Sequence, residues 1–496
     1  MTRERSRAVA RRELFSLGGV LSAAIAAAGA SRAHAAPPDD FADVDPSSLL
    51  IKLVRRLTMG ITAEELALAN SLGYEGYLEY HLNHTAIDDS VLQTRLADQT
   101  RYSTLTMTYQ QMLAVTGGQC ATECTEAAIL RGVFSKRQLF ERMVEFWTDH
   151  FNVDITPEVE NRLKPIDDRD VIRANALGNF RTLLDASAHS PAMLYYLNND
   201  ISVAGNPNEN YARELMELHT LGVDGGYTQQ DVAQVARCFT GWTIFRDNTA
   251  TPGTFRYNSG VHDTGQKTVL GHIIPARSAA AGIQDGLDVL QILLDHPNTA
   301  RYLAKKLCRW LLAEDVPAGT IDAVAAAYTS SGGDIKSMVR AALRPNHLAS
   351  VGLKYKRPWH QFISGLRSAN ATIVNTSTLR NRLTATGNAR FGWPTPDGYP
   401  DALDYWVGLI IPRWNFGAEI GAGAISGITI DATTYFSGLT TADQMADRIA
   451  LNFFGGEVTT TERNRIRDYL LPNPPSATRK AESLGLAIGS PSFQWY

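Results

Sequence analysis

Residues 296–311 read HPNTARYLAKKLCRWL, and their spacing decides the fold class. Pro297-Asn298-Thr299-Ala300 opens a helix, with proline in the first turn where its missing N–H would have no partner anyway. Ala300, Leu303, Ala304, Leu307 and Leu311 then recur at three- and four-residue intervals, which gathers them into one buried stripe. The opposite side carries Arg301, Lys305 and Arg309, a row that suits a solvated face or, alternatively, an anionic ligand or partner. The same periodicity runs through most of the chain from about residue 48, so a mainly α, multi-helical single large domain is expected. Ser190-Pro191 places a cap before a first-turn proline, and Thr228-Gln229-Gln230-Asp231 reads as a variant capping box before Val232. Cys238 and Cys308 fall in apolar helical contexts, as buried small hydrophobes.

The helical period breaks in two places. Around a turn at Thr251-Pro252-Gly253, the segments 243–246 and 254–257 predict a small β-hairpin, followed by a loop with His262 and Asp263. This makes a β/loop insertion near 242–275. The stretch 391–401 is too rich in proline and glycine for either regular element and is expected as a structured loop.

Composition narrows the function classes. The 496 residues include 47 basic and 51 acidic side chains and are 44% apolar, which excludes collagen, disorder and a disulfide scaffold. The mild acidity, without Lys/Arg clustering, argues against nucleic acid as a partner. No stretch after residue 36 is apolar enough for a membrane span.

Residues 1–35 differ from the rest. Arg3, Arg5, Arg7, Arg11 and Arg12 precede an Ala/Gly-rich run from Leu17 to Ala30, and Ala33-His34-Ala35 supplies the small-x-small pattern of signal-peptide cleavage. Arg11-Arg12 resembles a twin-arginine signal, so export by that route to the periplasm or the exterior is expected. Residues 36–47 read as a Pro/Asp-rich linker and 48–496 as the helical domain. Cleavage after Ala35 leaves 41 basic and 49 acidic groups, a net charge of −8. Cys120 and Cys124 lie in what reads as a Gly-marked loop, where a local disulfide can form after export.

Three polar segments are candidates for chemistry. In the first, Glu209, Arg213 and Glu217 fall on one helical face as a charge ladder beside Asn208 and Asn210, able to bind a polar substrate or position a general acid. Glu214 and His219 stand about 140° apart on a straight helix, so both cannot ligate one metal. A structural ion network between helices explains the same residues. In the second, His150 rides on the aromatic side of a helix with Met143 and Trp147, as a core imidazole or a catalytic one. The third gathers His262, Asp263 and Lys267 as proton donor, carboxylate partner and anion clamp, or as a turn held by Asp263 and Gly265. Trp393, Asp397 and Tyr399, in the Pro-rich loop, are candidates for substrate contact, the aromatics through stacking on sugar faces. No nucleophile elbow, zinc helix, Walker loop, dinucleotide turn or haem-attachment motif is present, and no cofactor is indicated.

In order, these segments resemble a known bacterial family. The matching residues are Leu53–Gly60, Phe146-Trp147 with His150-Phe151, Val171–Arg173 with Ala176–Phe180, and Ser190–Leu194. They continue through Asn208–Asn210, Arg213–Leu215 and Glu217–His219, then Gly226–Thr228 with Asp231-Val232 and Thr240–Trp242. His262-Asp263 with Gly265 and Lys267, and Pro394 with Pro396–Pro400, complete the set. Over nearly its whole length after the export signal, the chain is similar to the family named domain of unknown function 1800. The resemblance implies an exported protein, encoded beside an exported partner family named domain of unknown function 1501. Thr148-Asp149 stands where that family more often has His-Asn.

The functional expectation is an acid–base hydrolase or lyase acting on a polar envelope or extracellular substrate such as a glycan. Its cleft would gather Glu209, Arg213, Glu214, His219, His150, His262 and Asp263. One alternative is a non-enzymatic envelope protein that docks a partner. The other is a mononuclear metal enzyme using His150, His262 and a carboxylate.

Overall fold

Helices Gln138–His150 and Pro358–Ser368 are buried on almost every side, and the rest of the molecule is arranged around them. The computed structural model describes residues 49–496, so the readings of 1–47 as signal peptide and linker lie outside the described residues. Within them 24 α-helices are joined by loops, and strands occur only as three antiparallel pairs. The fold is therefore mainly α.

Two large apolar cores are present, beside a small cluster of Cys124, Ile155 and Phe391. The first collects helices Gln138–His150, Phe180–Ala188, Glu209–Glu217, Gln229–Cys238, Ile283–Asp295 and Pro297–Leu311. The second collects Gly117–Phe134, Pro358–Ser368, Ile410–Gly421, Ala442–Phe454 and Ala477–Gly489. In the decisive stretch, Ala300, Leu303, Ala304, Leu307 and Leu311 are all buried as the spacing predicts. On the outer side Arg301 pairs with Asp322 and Arg309 with Glu314, so that row is a solvated face.

All-round burial forces the polar groups of the two central helices to find partners inside. Gln138 donates to the Ser135 carbonyl (2.7 Å) and accepts from the Met59 N–H (2.8 Å). Glu141 takes both arms of Arg173, at 2.6 and 3.0 Å. Arg142 reaches across to the other helix, donating to His360 Nδ1 (3.0 Å) and the Tyr496 hydroxyl (3.2 Å).

Local signals translate unevenly. Thr228 and Asp231 form a reciprocal capping box. Ser190 does precede a first-turn proline, but its hydroxyl donates to Asp167 (2.7 Å) rather than to the helix. The expected hairpin forms, with Trp242–Ile244 paired to Phe255–Tyr257. A second one, Lys267–Val269 with His272–Ile274, replaces part of the expected loop. Its two-residue turn, Leu270-Gly271, holds both φ angles positive (49° and 80°), the geometry that matches strand twist.

One expectation is corrected. Gly117-Gly118 is the first turn of the helix Gly117–Phe134, capped by Thr116 accepting from the Gln119 N–H. Cys120 and Cys124 therefore lie one turn apart on a helix, not in a loop, and are separate buried thiols without a disulfide. Burial pushes both thiols up, Cys124 to about 12. Cys238 and Cys308 are buried as expected.

The closest helix contact pairs Ile410–Gly421 with Ala477–Gly489. A Cβ on Gly485 would stand 2.3 Å from the Gly417 carbonyl oxygen, so neither position has room for a side chain. Gly485→Ala is expected to destabilise the protein by about 1–3 kcal/mol, read by urea unfolding, because the second core must open to admit one methyl group.

Candidate functional site

The end of the Gln138–His150 helix receives the loop 391–401, and their junction makes a cleft. Asn152 donates to the carbonyls of Trp393 (2.9 Å) and Thr395 (2.7 Å), and the Tyr196 hydroxyl donates to that of Pro394 (2.9 Å). Gly398 adopts φ 73°, and a Cβ there would lie 2.1 Å from the Asp149 carbonyl oxygen, so only glycine lets the loop lie on the helix end. Arg357, at the start of the second central helix, donates to the Asp149 carboxylate and to the Tyr399 carbonyl (3.1 Å). Its guanidinium stacks on Trp310 at 4.8 Å. Asp401 is paired with Lys354 at 2.6 Å and stands 3.6 Å from Arg357. The cleft has a volume of about 230 Å3 between Asp149, His150, Lys306, Trp310, Asp397 and Tyr399.

Among the described residues two half-buried groups lack partners, Lys306 in the cleft wall and Glu214 near the cleft residue Asp397. Among the described residues the half-buried Lys306 makes no ion pair or hydrogen bond, and its Nζ lies 5.5 Å from the centre of the Tyr302 ring. Burial pushes its amine down to about 8 against the pull of Asp149, Asp397 and Asp401. The half-buried Glu214 carboxyl likewise has no hydrogen bond or ion pair. Burial, with Glu217 and Asp397 adding repulsion against the nearby Arg213, pushes it up to about 7. Asp397 thus bears on both groups, and it is held by Trp393 Nε1 (2.9 Å) and the Thr395 hydroxyl (2.5 Å).

Behind Lys306 lie two buried imidazoles. His150 Nε2 is 3.1 Å from the His219 carbonyl oxygen, which places the His150 proton on Nε2. Burial, and then the Lys306 charge, hold His150 well below its ordinary value and bring His219 to about 3. Both are neutral rings packed beside Phe151, at 4.6 and 4.9 Å between centroids. The straight-helix angle between Glu214 and His219 does not apply, because the helix ends at Glu217. The N–H groups of Leu218 and His219 both donate to the Glu214 carbonyl, at 2.8 and 3.0 Å, and the chain turns His219 inward.

Other predicted residues have structural partners. Asn208 caps the Glu209–Glu217 helix by accepting from the Asn210 N–H (3.0 Å), and the Asn210 amide donates to the Leu197 carbonyl (3.2 Å). Glu209 and Arg213 meet on the surface at 3.4 Å and share Gln229, which ties two helices together. His262 is buried, with Nδ1 2.8 Å from the Thr240 carbonyl oxygen and Nε2 3.2 Å from Asp285. Asp263 takes two bonds from Arg237, at 2.7 and 3.0 Å. Lys267 and Arg277 both pair with Asp285. This lattice belongs to the β insertion and is satisfied internally. Among the described residues no three His, Cys, Asp or Glu side chains converge as metal ligands, and His150 and His262 have no partner in common.

A profile of the family described as "Protein of unknown function (DUF1800)" matches residues 52–495. The chain belongs to the DUF1800 family. No curated protein and no solved structure matches it. Of the groups described in and around this cleft of the DUF1800 chain, sequence reasoning singled out His150, Glu214, His219, Asp397 and Tyr399 as candidates, and Lys306, Arg357 and Asp401 were not among them. Lys306 carried a signal: Tyr302 and Trp310 flank it four residues away on either side, on the edge of the buried stripe.

Two pH effects follow. Burial opposes ionisation of Asp285, but His262, Lys267 and Arg277 outweigh it and hold the carboxyl at about 2. A depressed folded value stabilises above the unfolded value near 4 and is lost as pH falls through 2. Asp285→Asn is expected to cost about 3 kcal/mol or more at pH 7, and much less below pH 2, by urea unfolding. Glu214 has the opposite sign: its folded value lies above the ordinary 4.5, so stability falls as pH rises from there through 7. Glu214→Gln is expected to leave Tm unchanged at pH 4 and to raise it by about 1–2 °C at pH 8, read calorimetrically.

Proposed function

We propose that the protein is an exported acid–base enzyme, a hydrolase or lyase of a polar envelope or extracellular substrate such as a glycan. The observation that carries this is Glu214: a half-buried carboxyl without a hydrogen bond, poised at about 7, next to the cleft residue Asp397. A carboxyl serving only structure would be expected to have donors around it, as Asp285 does. A proton-transfer group instead needs an ionisation near working pH and a position open to substrate.

Glu214 is then the acid that protonates a leaving oxygen, or the base that removes a proton. Lys306 and Asp397 hold polar groups of the substrate, and Tyr399 and Trp310 supply apolar faces suited to a sugar ring. The neutral His150 and His219 form a dry floor that keeps the Lys306 amine partly desolvated. The export reading of residues 1–35 supports an extracytoplasmic substrate, and the family resemblance supports work beside an exported DUF1501 partner.

The test is turnover of a panel of envelope and extracellular glycans, with products read by mass spectrometry. Glu214→Gln is expected to lower the rate about 100-fold or more, while the surface variant Asp322→Asn stays within about twofold of native. Native-like turnover by Glu214→Gln would remove the assignment, and absence of product from every glycan would remove the substrate class.

A further inference from the structure

The cleft does not end at Asp401. That residue is also a wall of a second hollow, of about 270 Å3 against 230 Å3 for the cleft, lined besides by Glu314, Asp315, Tyr355, Trp406 and Trp495. Two features tie the hollows together. One is a run of aromatic rings that passes from the first into the second: between centroids Trp393 lies 5.0 Å from Tyr399, Tyr399 6.0 Å from Trp406, and Trp406 4.7 Å from the exposed Tyr405. The Trp406 indole N–H donates to the Pro400 carbonyl (2.7 Å), so the helical turn Leu403–Trp406 continues the wall that the loop 391–401 begins. The other feature is an ion pair. Arg309, in the cleft wall, meets Glu314, in the wall of the second hollow, at 2.7 Å, and Glu314 also accepts from the Leu403 N–H (2.9 Å).

Charge along these walls is balanced. Arg357 pairs with Asp149, Lys354 with Asp401 and Arg309 with Glu314. What stays open is single groups of both signs: Lys306 in the cleft, and the exposed carboxylates of Asp397 in the cleft and Asp315 in the second hollow. Such a lining attracts neither a polyanion nor a polycation. It suits hydroxyl groups, which donate to carboxylates and accept from an amine. Each hollow also holds a donor without a partner among the described residues, the Trp310 indole N–H in the first and the Tyr355 hydroxyl in the second. Half-buried Trp495 stands 5.1 Å from the Tyr355 ring and adds an aromatic face there. Aromatic faces flanked by hydrogen-bonding groups fit sugar rings. Either hollow alone falls short of the roughly 300–1,000 Å3 of ordinary small-molecule sites, and the two together reach it.

We propose that the two hollows are consecutive subsites of one groove, and that its occupant is a neutral oligosaccharide chain of at least two units. This rests on the reading of the cleft as the reacting site. The second hollow then binds without reacting: the unit beyond the cleft stacks on Trp495 and gives a hydroxyl hydrogen bond to Asp315. Contacts remote from the reacting centre hold the chain in register over the cleft, so a longer chain binds more tightly than a short one.

The test is calorimetric titration of the full chain carrying Glu214→Gln, which separates binding from turnover, with cello-oligosaccharides and with chito-oligosaccharides from the monomer upward. In at least one series Kd is expected to fall about tenfold or more between the monosaccharide and the trisaccharide. Trp495→Ala and Asp315→Asn, each added to that chain, are expected to cancel most of the gain. Asp315 is exposed, so its variant is expected to keep the native urea midpoint even where Trp495→Ala does not fold. Equal affinity at every length, a length gain that survives in every folded variant, or no binding of either series each overturns the proposal. The enzymatic reading fails separately. Length-graded binding by a native chain that turns over no glycan keeps the groove and removes the enzyme, whereas turnover indifferent to chain length keeps the enzyme and removes the groove.

Discussion

The ion pair between Arg357 and Asp149 is the constraint on which the site depends. Asp149 belongs to a helix of the first core and Arg357 to the start of a helix of the second, so this contact joins the two, as Arg142 and His360 do farther along the same helices. Both side chains are largely withdrawn from water, where an unmatched charge would be strongly destabilising. The same guanidinium supports the Tyr399 carbonyl and lies on Trp310, so the loop 391–401 and the Pro297–Leu311 helix are held by one cation. The cleft is the space these fixed walls leave between them.

Two kinds of polar cluster can be told apart by counting partners. Around Asp285, three cationic or imidazole donors meet one carboxylate, and the nearby Asp263 is matched by Arg237. Such a lattice holds the β insertion in place. Around Glu214 and Lys306 the protein provides burial and field without a matching hydrogen bond, which shifts ionisation instead of fixing geometry. The chemistry we propose rests on the second kind.

Much of the architecture was legible in the sequence because period and capping act locally. The stripe from Ala300 to Leu311, the Thr228 box and the hairpin at Trp242 needed no long-range information. Gly117-Gly118 misled because two glycines at a helix start carry the same letters as a loop, and the Thr116 cap outweighs them. The 270–271 turn was missed since leucine rarely adopts positive φ, although its glycine was visible. The site was half legible. His150, Glu214 and Asp397 stood out by residue type, but whether a histidine–aspartate pair is catalytic or structural depends on who else arrives. Asp285, 22 residues beyond Asp263, decided that for His262. Lys306 was hidden by its neighbours Lys305 and Arg309, because a row of bases looks uniform until packing separates the inward-turned one.

Gly398 sets how this scaffold can diversify. Its bend rests on a backbone carbonyl with no space for any substituent, so the path of the loop is not adjustable by single replacements. Side chains that project from the same loop, such as Trp393, Thr395 and Asp397, carry no comparable restriction on their size. Relatives built on this frame would therefore change what they recognise by exchanging those tips, while the hinge beneath them stays glycine.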